Sequence, residues 1–312
     1  MTQRTVLVTG ATGLLGREVA KAFRARGWSV KGTGFSRADG VDVLKVDLGD
    51  KEAVAKVLDE VNKKGAAERF PDKVEKNPEG ARALNIEASR SLANLAAERK
   101  ALLVYISTDY VFPGVEGEAP YEADATPRPT NLYGQTKRDG EVAVLDEYAA
   151  GSVVLRVPVL YGHAESASES AVNTLMDSLW KSQAPGAEVK MDHWSLRYPT
   201  CTEDVGRVCH DVAVKYLDTA GPQQKELPRI LQFSSEDRMT KYEICQKFAA
   251  VLGLKTEGTG LVANTEGNDP NASVQRPYDC HLSTKALKDL GIDVSTVGFD
   301  DWWGREAHVY RR

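Results

Sequence analysis

No apolar run in this 312-residue chain approaches the ~20 residues a helix needs to cross a bilayer, so a membrane-spanning class is not expected. Cysteine is scarce. Cys201, Cys209, Cys245 and Cys280 stand far apart with no C-x-x-C pair, which signals neither a zinc site nor a disulfide framework and suits a reducing compartment. An excess of basic charge is also missing: the net charge of -5 and pI near 5.7 disfavour nucleic acid and anionic membranes as partners, leaving small molecules and proteins. The start, "MTQRTVLVTG", has neither an apolar signal core nor an Arg-rich leader, so a cytoplasmic protein is expected. Repeats and clean linkers are lacking as well. What remains, 42% hydrophobic and 27% charged residues, is an ordinary globular composition, enough for one large core or two modest ones.

The first half alternates two kinds of pattern. "TVLVT" (5–9) reads as a buried strand, "GATGLLG" as a glycine-rich turn, and 14–25 as a helix with Leu15, Val19 and Phe23 on one face. Strands follow at 28–34 and 41–47, then a helix capped by Asp50, a helix from about 78 to 99, and the buried strand "ALLVYIST" ending at Thr108. Strands alternating with helices predict an α/β fold, a parallel sheet wound on both faces. The proline- and glycine-punctuated stretch from Asp109 to Asn131 is a long loop at the carboxyl end of a strand, where substrate lips often form. Next come a helix carrying Tyr133 and Lys137 and the strand "SVVLRVPVLYG". Beyond Gly162 the pattern loosens into helices near 171–182, 203–217 and 240–252, short strands near "AEVKMD", "RYPT" and "RILQFS", and a polar loop to Pro277.

Four features carry chemistry. In Gly10-Ala-Thr-Gly13-Leu-Leu-Gly16, glycines between strand and helix let backbone amides approach a pyrophosphate at the positive helix end, although a tight turn alone would also use them. After the second strand, where an NAD site places an acidic residue for the ribose 2′-hydroxyl, stand Ser36 and Arg37; a hydroxyl and an arginine fork favour the 2′-phosphate of NADP. Asp47 ends the third strand as an adenine neighbour or a helix cap. Thr108 and Ser107 end a buried strand, and Tyr133 and Lys137 lie four apart, one turn apart on one helix face, where the ammonium would favour phenolate. Together they compose a carbonyl-reduction site: Thr108 binds the carbonyl, Tyr133 donates the proton, Lys137 lowers the tyrosine pKa and holds the nicotinamide ribose. The fourth feature is "GFDDWWGREAHVYRR", whose Trp302, Trp303, Tyr310 and arginines are either interface anchors or, for Trp302, core packing of a last helix.

The segments "VTGATGLLG", "YISTDYVFPG", "NLYGQTKRDGE" and "LRVPVLYG" resemble the extended short-chain dehydrogenase/reductase superfamily, and within it the dTDP-4-dehydrorhamnose reductase family. In the second half, "ESAVNTLMDSLW", "MDHWSLRYPT", "MTKYEIC" and "SVQRPYDCHLSTKALKDLGI" are similar to that family's regulatory group, the beta subunits of methionine adenosyltransferase. The resemblance implies a Rossmann-type NADP(H) domain over 1–160, joined by about 198–235, and a smaller substrate or partner domain from 161–197 and 236–312. It implies Thr108, Tyr133 and Lys137 as a catalytic triad. The implied cofactor contacts are Gly10, Thr12, Gly13, Leu14, Leu15, Gly16, Phe35, Ser36, Arg37, Asp47, Leu48, Ala66, Ala67 and Val159, with Tyr133 and Lys137. The implied substrate or partner side is Ser107, Asp109, Tyr110, Val111, His193, Trp194 and Arg276. No metal is implied.

One departure stands out. Before "GAAERFPDKVEKNP" the family has a buried strand feeding the turn at Gly65, Ala66 and Ala67, and here only "NKKGAAER" is found, some eight apolar residues short. Losing a central parallel strand would leave ladder groups unpaired and a void in the sheet. Two functions follow from the resemblance. One is regulation, by binding NADP and the catalytic subunit of methionine adenosyltransferase; the other is NADPH-dependent reduction of a nucleotide-linked 4-keto-6-deoxy sugar, with a reductase of another carbonyl as a third option.

Overall fold

The computed structural model describes residues 3–34, 42–61, 77–269, 271 and 274–306, the side chains of 57–61 excepted. Its first half runs β1 (Thr5–Thr9), α1 (Leu14–Arg24), β2 (Ser29–Gly34), β3 (Val43–Lys45), α2 (Lys51–Val61), α3 (Pro78–Arg82), α4 (Ala88–Glu98), β4 (Leu103–Thr108), α5 (Leu132–Tyr148) and β5 (Ser152–Val157). The second half adds β6 (Leu160–Tyr161), α6 (Leu175–Ser182), β7 (Val189–Asp192), β8 (Thr200–Cys201), α7 (Thr202–Asp218), α8 (Gln223–Glu226), β9 (Ile230–Gln232), α9 (Lys241–Leu252), β10 (Leu261–Asn264), α10 (Lys285–Asp289) and α11 (Phe299–Glu306).

All strand ladders are parallel, as alternating strand and helix requires. The expected doubly wound sheet is present in two halves. β3-β2-β1 form one three-stranded sheet and β4-β5-β9 another, and among the described residues no strand joins β1 to β4. One helical layer, α1 and α7, packs Phe23, Val205, Val208 and Val212 against Val8, Val153, Leu155 and Leu231 from both half-sheets. On the opposite face Val54, Leu92 and Leu95 of α2 and α4 cover Leu7, while Ala93, Ala96 and Val144 cover Leu103, Tyr105 and Val154. The two layers thus clamp both half-sheets between them. At the α1–α7 crossing a Cβ on Gly206 would lie 2.7 Å from the Glu18 carbonyl oxygen, so glycine sets the closeness of that layer.

Local chemistry explains where elements stop. Asp50 caps α2, its Oδ1 accepting from the Glu52 and Ala53 amides. Pro158, which has no N–H, ends β5, and the chain re-enters as β6 to pair with β8. Thr240 and Glu243 form a reciprocal capping box that starts α9. The helix read over 78–99 contains a π-type turn at Ala83–Glu87. Two expectations are corrected. The stretch before Pro277, read as a polar loop, contains β10, whose Leu261 and Ala263 pair with Val189 and Met191 of β7. Trp302 and Trp303 are 1% and 0% exposed among Tyr161, Phe248 and Phe299, so these two aromatics are core residues rather than interface anchors. Tyr310 and the terminal arginines lie outside the described residues.

Helix α5 is fixed to the sheet by a buried ion pair: Arg156 donates to both Glu141 oxygens at 2.9 and 2.7 Å and also to Gln232 Oε1 and the Ala123 carbonyl. A guanidinium 1% exposed is tolerated because its donors are matched in this way. Glu141→Ala is expected to destabilise the protein by about 3–5 kcal/mol in urea unfolding, by leaving the Arg156 charge uncompensated; a loss under 1 kcal/mol would contradict this role.

Candidate functional site

The glycine-rich turn does what its spacing predicts. Gly10 sits at φ 61°, which a side chain would resist, and its carbonyl accepts from the Gly13 amide at 2.8 Å. A Cβ on Gly16 would lie 2.0 Å from the Gly10 oxygen, so only glycine permits this approach of helix to strand. α1 starts at Gly13 with no side-chain cap and no acidic residue in its first turn, which leaves its leading amides and positive end to a ligand. Arg17 locks the turn from outside, donating to the Thr12 carbonyl at 2.7 Å and to Glu169 at 2.6 Å. Sequence reading missed this pair; the only signal was an arginine one turn into a helix that opens on glycines.

A cavity of about 1040 Å³ opens in front of that turn. Gly10, Thr12, Gly13, Leu14, Leu15, Gly16, Asp47, Leu48 and Val159 line it on the glycine-turn side, and Ser107, Thr108, Asp109, Tyr110, Tyr133, Lys137 and Arg276 line it on the other. Asp47 also accepts from the Gly49 amide, so its carboxylate is held at the strand end. Val111 is buried with Phe112, Tyr121 and Leu282; His193 bonds Thr240 and meets the Tyr242 ring at a tilt, and Trp194 packs on Tyr278, so these three stand outside the cavity lining. Phe35, Ser36, Arg37, Ala66 and Ala67 lie outside the described residues.

Helix α5 delivers Tyr133 and Lys137. Asn131 caps it, accepting from the Gly134 amide at 2.9 Å. Gly134 and Gly140 let it lie close: Cβ atoms there would meet the Tyr110 carbonyl at 2.0 Å and the Asn85 carbonyl and Tyr105 hydroxyl at 2.4 Å. Tyr133 and Lys137 share a face, as their spacing predicts, and Tyr133 meets the Tyr110 ring edge-on. The hydrogen bonds of Lys137, however, run to the Tyr105 hydroxyl at 2.9 Å and the Ile106 carbonyl at 2.7 Å, with its nitrogen 4.2 Å from the Tyr105 ring centre. Burial pushes the Lys137 pKa down to about 7, partly opposed by the Glu141 carboxylate. Burial likewise raises the Tyr105 hydroxyl above its usual range. Tyr105 was overlooked in the sequence, although a phenol within an apolar strand needs a buried partner.

The other polar groups are also engaged. Thr108 Oγ1 donates to Asp109 at 2.9 Å and accepts from the Tyr110 amide. Burial lifts the Asp109 carboxyl to about 6, against the Thr108 bond and the Arg197 charge. Thr9 Oγ1 and Ser107 Oγ are buried on the cavity wall without partners, two polar atoms that a bound ligand could satisfy. A glycine cradle at a helix N-terminus, an apolar wall and unsatisfied hydroxyls together fit a phosphate-bearing nucleotide.

Fold and site define an α/β protein of the Rossmann class with a glycine-rich turn at the mouth of its cavity. The chain belongs to the family described as RmlD substrate binding domain, which it matches over residues 4–297. It is similar to methionine adenosyltransferase 2 subunit beta, at 41% identity over 297 residues to the Rattus norvegicus protein (94% of this chain, 84% of that one) and 40% over 301 residues to the Danio rerio protein (95% and 88%). Among solved structures, dTDP-4-dehydrorhamnose reductase from Bacillus anthracis in complex with NADP superposes with a TM-score of 0.78 over 98% of each chain; at 21% identity this likeness bears on the fold.

Lys137 generates a pH signature. Its folded pKa of about 7 lies below the unfolded value of about 10.4, so between these limits the unfolded chain binds the extra proton and stability rises with pH. Unfolding free energies of wild type minus Lys137→Met are expected to climb by about 1.4 kcal/mol per pH unit across that window and to level off on either side. A flat difference from pH 6 to 10 would show that the ammonium is not desolvated.

Proposed function

We propose that this protein is an NADP(H)-binding regulatory subunit of methionine adenosyltransferase, acting on that enzyme's catalytic subunit in the cytoplasm, where its four free cysteines stay reduced. The observation that carries the reading is about 40% identity to beta subunits across some 94% of the chain, both halves included. We assign nucleotide binding to 1–160 with about 198–235, and contact with substrate or partner to 161–197 with 236–312.

In this reading the α1 amides after Gly13 hold the pyrophosphate, Asp47 and Leu48 border the adenine, and Ser36 with Arg37 meets the 2′-phosphate. The nicotinamide, when bound, supplies hydride chemistry. The chain's own groups support holding the nucleotide better than turning it over: Thr108 is spent on Asp109, and Lys137 on Tyr105 and Ile106. The second reading, reduction of a nucleotide-linked 4-keto-6-deoxy sugar, draws on Thr108, Tyr133 and Lys137 lining one cavity.

NADPH titration followed by nicotinamide fluorescence is expected to show saturable binding, weakened at least ~10-fold by Arg37→Ala, since a bidentate phosphate contact is worth more than ~1.4 kcal/mol. Gly16→Val is expected to abolish it. Binding unaffected by both substitutions would overturn the nucleotide assignment. Coelution with a methionine adenosyltransferase catalytic subunit, with altered kinetics of that enzyme, is expected; NADPH consumption with a dTDP-4-keto-6-deoxy sugar and no coelution would establish the reductase instead.

A further inference from the structure

Arg17 stands where helix chemistry disfavours it. It lies one turn into α1, near the positive end of the helix, and the first turn carries no acidic residue, so its charge opposes the dipole. The compensating carboxylate comes from 152 positions away: Glu169, itself 8% exposed, accepts from one guanidinium nitrogen at 2.6 Å and from the other at 3.4 Å. A buried carboxylate and an opposed cation are each costly alone, and the fork that joins them offsets both. The same guanidinium donates to the His163 carbonyl at 3.0 Å and reaches the Glu165 carboxylate at 3.5 Å, while the Glu165 amide donates to Glu169. These partners beyond α1 all belong to one segment, 163–169, which follows β6 in the second half of the chain.

One contact of Arg17 goes inward. It donates to the Thr12 carbonyl at 2.7 Å, and the amide at the other end of that peptide, the Gly13 N–H, donates to the Gly10 carbonyl at 2.8 Å. A peptide group is planar and rigid, so holding its oxygen from one side and its hydrogen from the other fixes its tilt. This is the last peptide before α1 begins, and its tilt aims the first-turn amides that follow, which have no carbonyl within the helix to bond. Leu14, Leu15 and Gly16 line the cavity, and so does Glu169, but Arg17 does not. Arg17 therefore acts on the contents of the cavity through Thr12 rather than by touching them.

We propose that Arg17 and Glu169 are a positioning pair that sets the affinity of the glycine turn for a diphosphate: Glu169 holds the guanidinium, the guanidinium holds the Thr12–Gly13 peptide, and that peptide aims the α1 amides. Segment 163–169 and the ligand are thereby coupled. A diphosphate that tightens the turn steadies the segment, and whatever displaces Glu169 loosens the diphosphate, since coupling between two sites is reciprocal. The proposal rests on the nucleotide-site reading of the glycine turn.

The test is NADPH titration of the full chain by nicotinamide fluorescence, with residue-resolved amide NMR on the same samples. Arg17→Ala and Glu169→Ala are each expected to weaken binding at least ~10-fold, and the double variant by no more than either alone, because both remove one coupled contact. Arg17→Lys keeps the charge and serves should alanine unfold the protein; it lacks the fork that holds carboxylate and carbonyl together, and is expected to weaken binding by a similar factor while Tm stays close to wild type. In wild type, NADPH is expected to shift the Leu14 and Leu15 amide resonances and to slow exchange of the Glu165 amide several-fold; in Arg17→Lys both responses shrink, while the shift at Leu48, on the adenine side, remains. Wild-type binding that neither alanine variant weakens, losses that multiply in the double variant, or full affinity in Arg17→Lys overturns the pair. Loss of the Leu48 response together with the others makes Arg17 a residue of general stability and overturns it as well, and Glu165 exchange that NADPH leaves unaltered overturns the coupling to segment 163–169. A wild-type chain that binds no NADPH overturns the nucleotide reading itself, a result distinct from binding that the variants leave intact.

Discussion

A single hydrogen bond, from the Lys137 ammonium to the Ile106 carbonyl, marks the constraint around which this molecule is arranged: two parallel half-sheets that no strand joins among the described residues. A sheet strand normally spends every inward amide and carbonyl on its neighbours. Among the described residues β1 and β4 each pair on one side, and the helical layers pack across both halves. The lysine that the reductase pattern assigns to the nicotinamide ribose is drawn to the break, and burial there moves its pKa down to about 7.

The glycine turn lies within one half-sheet and is braced from outside it. Gly10, Gly13 and Gly16 belong to the β1–α1 connection, and their close approach depends on the absence of Cβ atoms and on the Arg17–Glu169 clamp. The groups of the reductase triad come from the other half, carried by β4 and α5. In the proposed reading, nucleotide binding and turnover would draw on different half-sheets. A protein that keeps the first and compromises the second is suited to sensing a nucleotide rather than consuming it, in keeping with the proposed regulatory role.

Much of this was legible in the residues. Period-2 and period-3.6 patterns marked most strands and helices, Asp50 announced a helix start, and G-x-x-G-x-x-G marked a phosphate turn, because each rests on local chemistry. The shortage of apolar residues before Gly65 raised the expectation of a defect in the sheet; residues 62–76 lie outside the described residues, and among the described ones no strand joins the halves. What sequence could not give was tertiary. The i,i+4 spacing put Tyr133 and Lys137 on one face but not the ammonium's destination, which depends on an orphaned carbonyl 31 positions away. The β10 strand was hidden because "LVAN" is short and its partner, β7, lies far back in the chain. Trp302 and Trp303 carry the composition of an interface, and only the surrounding Tyr161, Phe248 and Phe299 make them core.

The most direct measurement is the titration of Lys137 itself, followed by NMR of the protein selectively labelled with carbon-13 at lysine ε positions, with Lys137→Arg to assign the resonance. If the ammonium is buried beside Ile106, its signal titrates near 7, far below the ordinary lysine value of about 10.4. A titration near the ordinary ~10.4 would place Lys137 in solvent and contradict the interrupted sheet as the organising feature of the molecule.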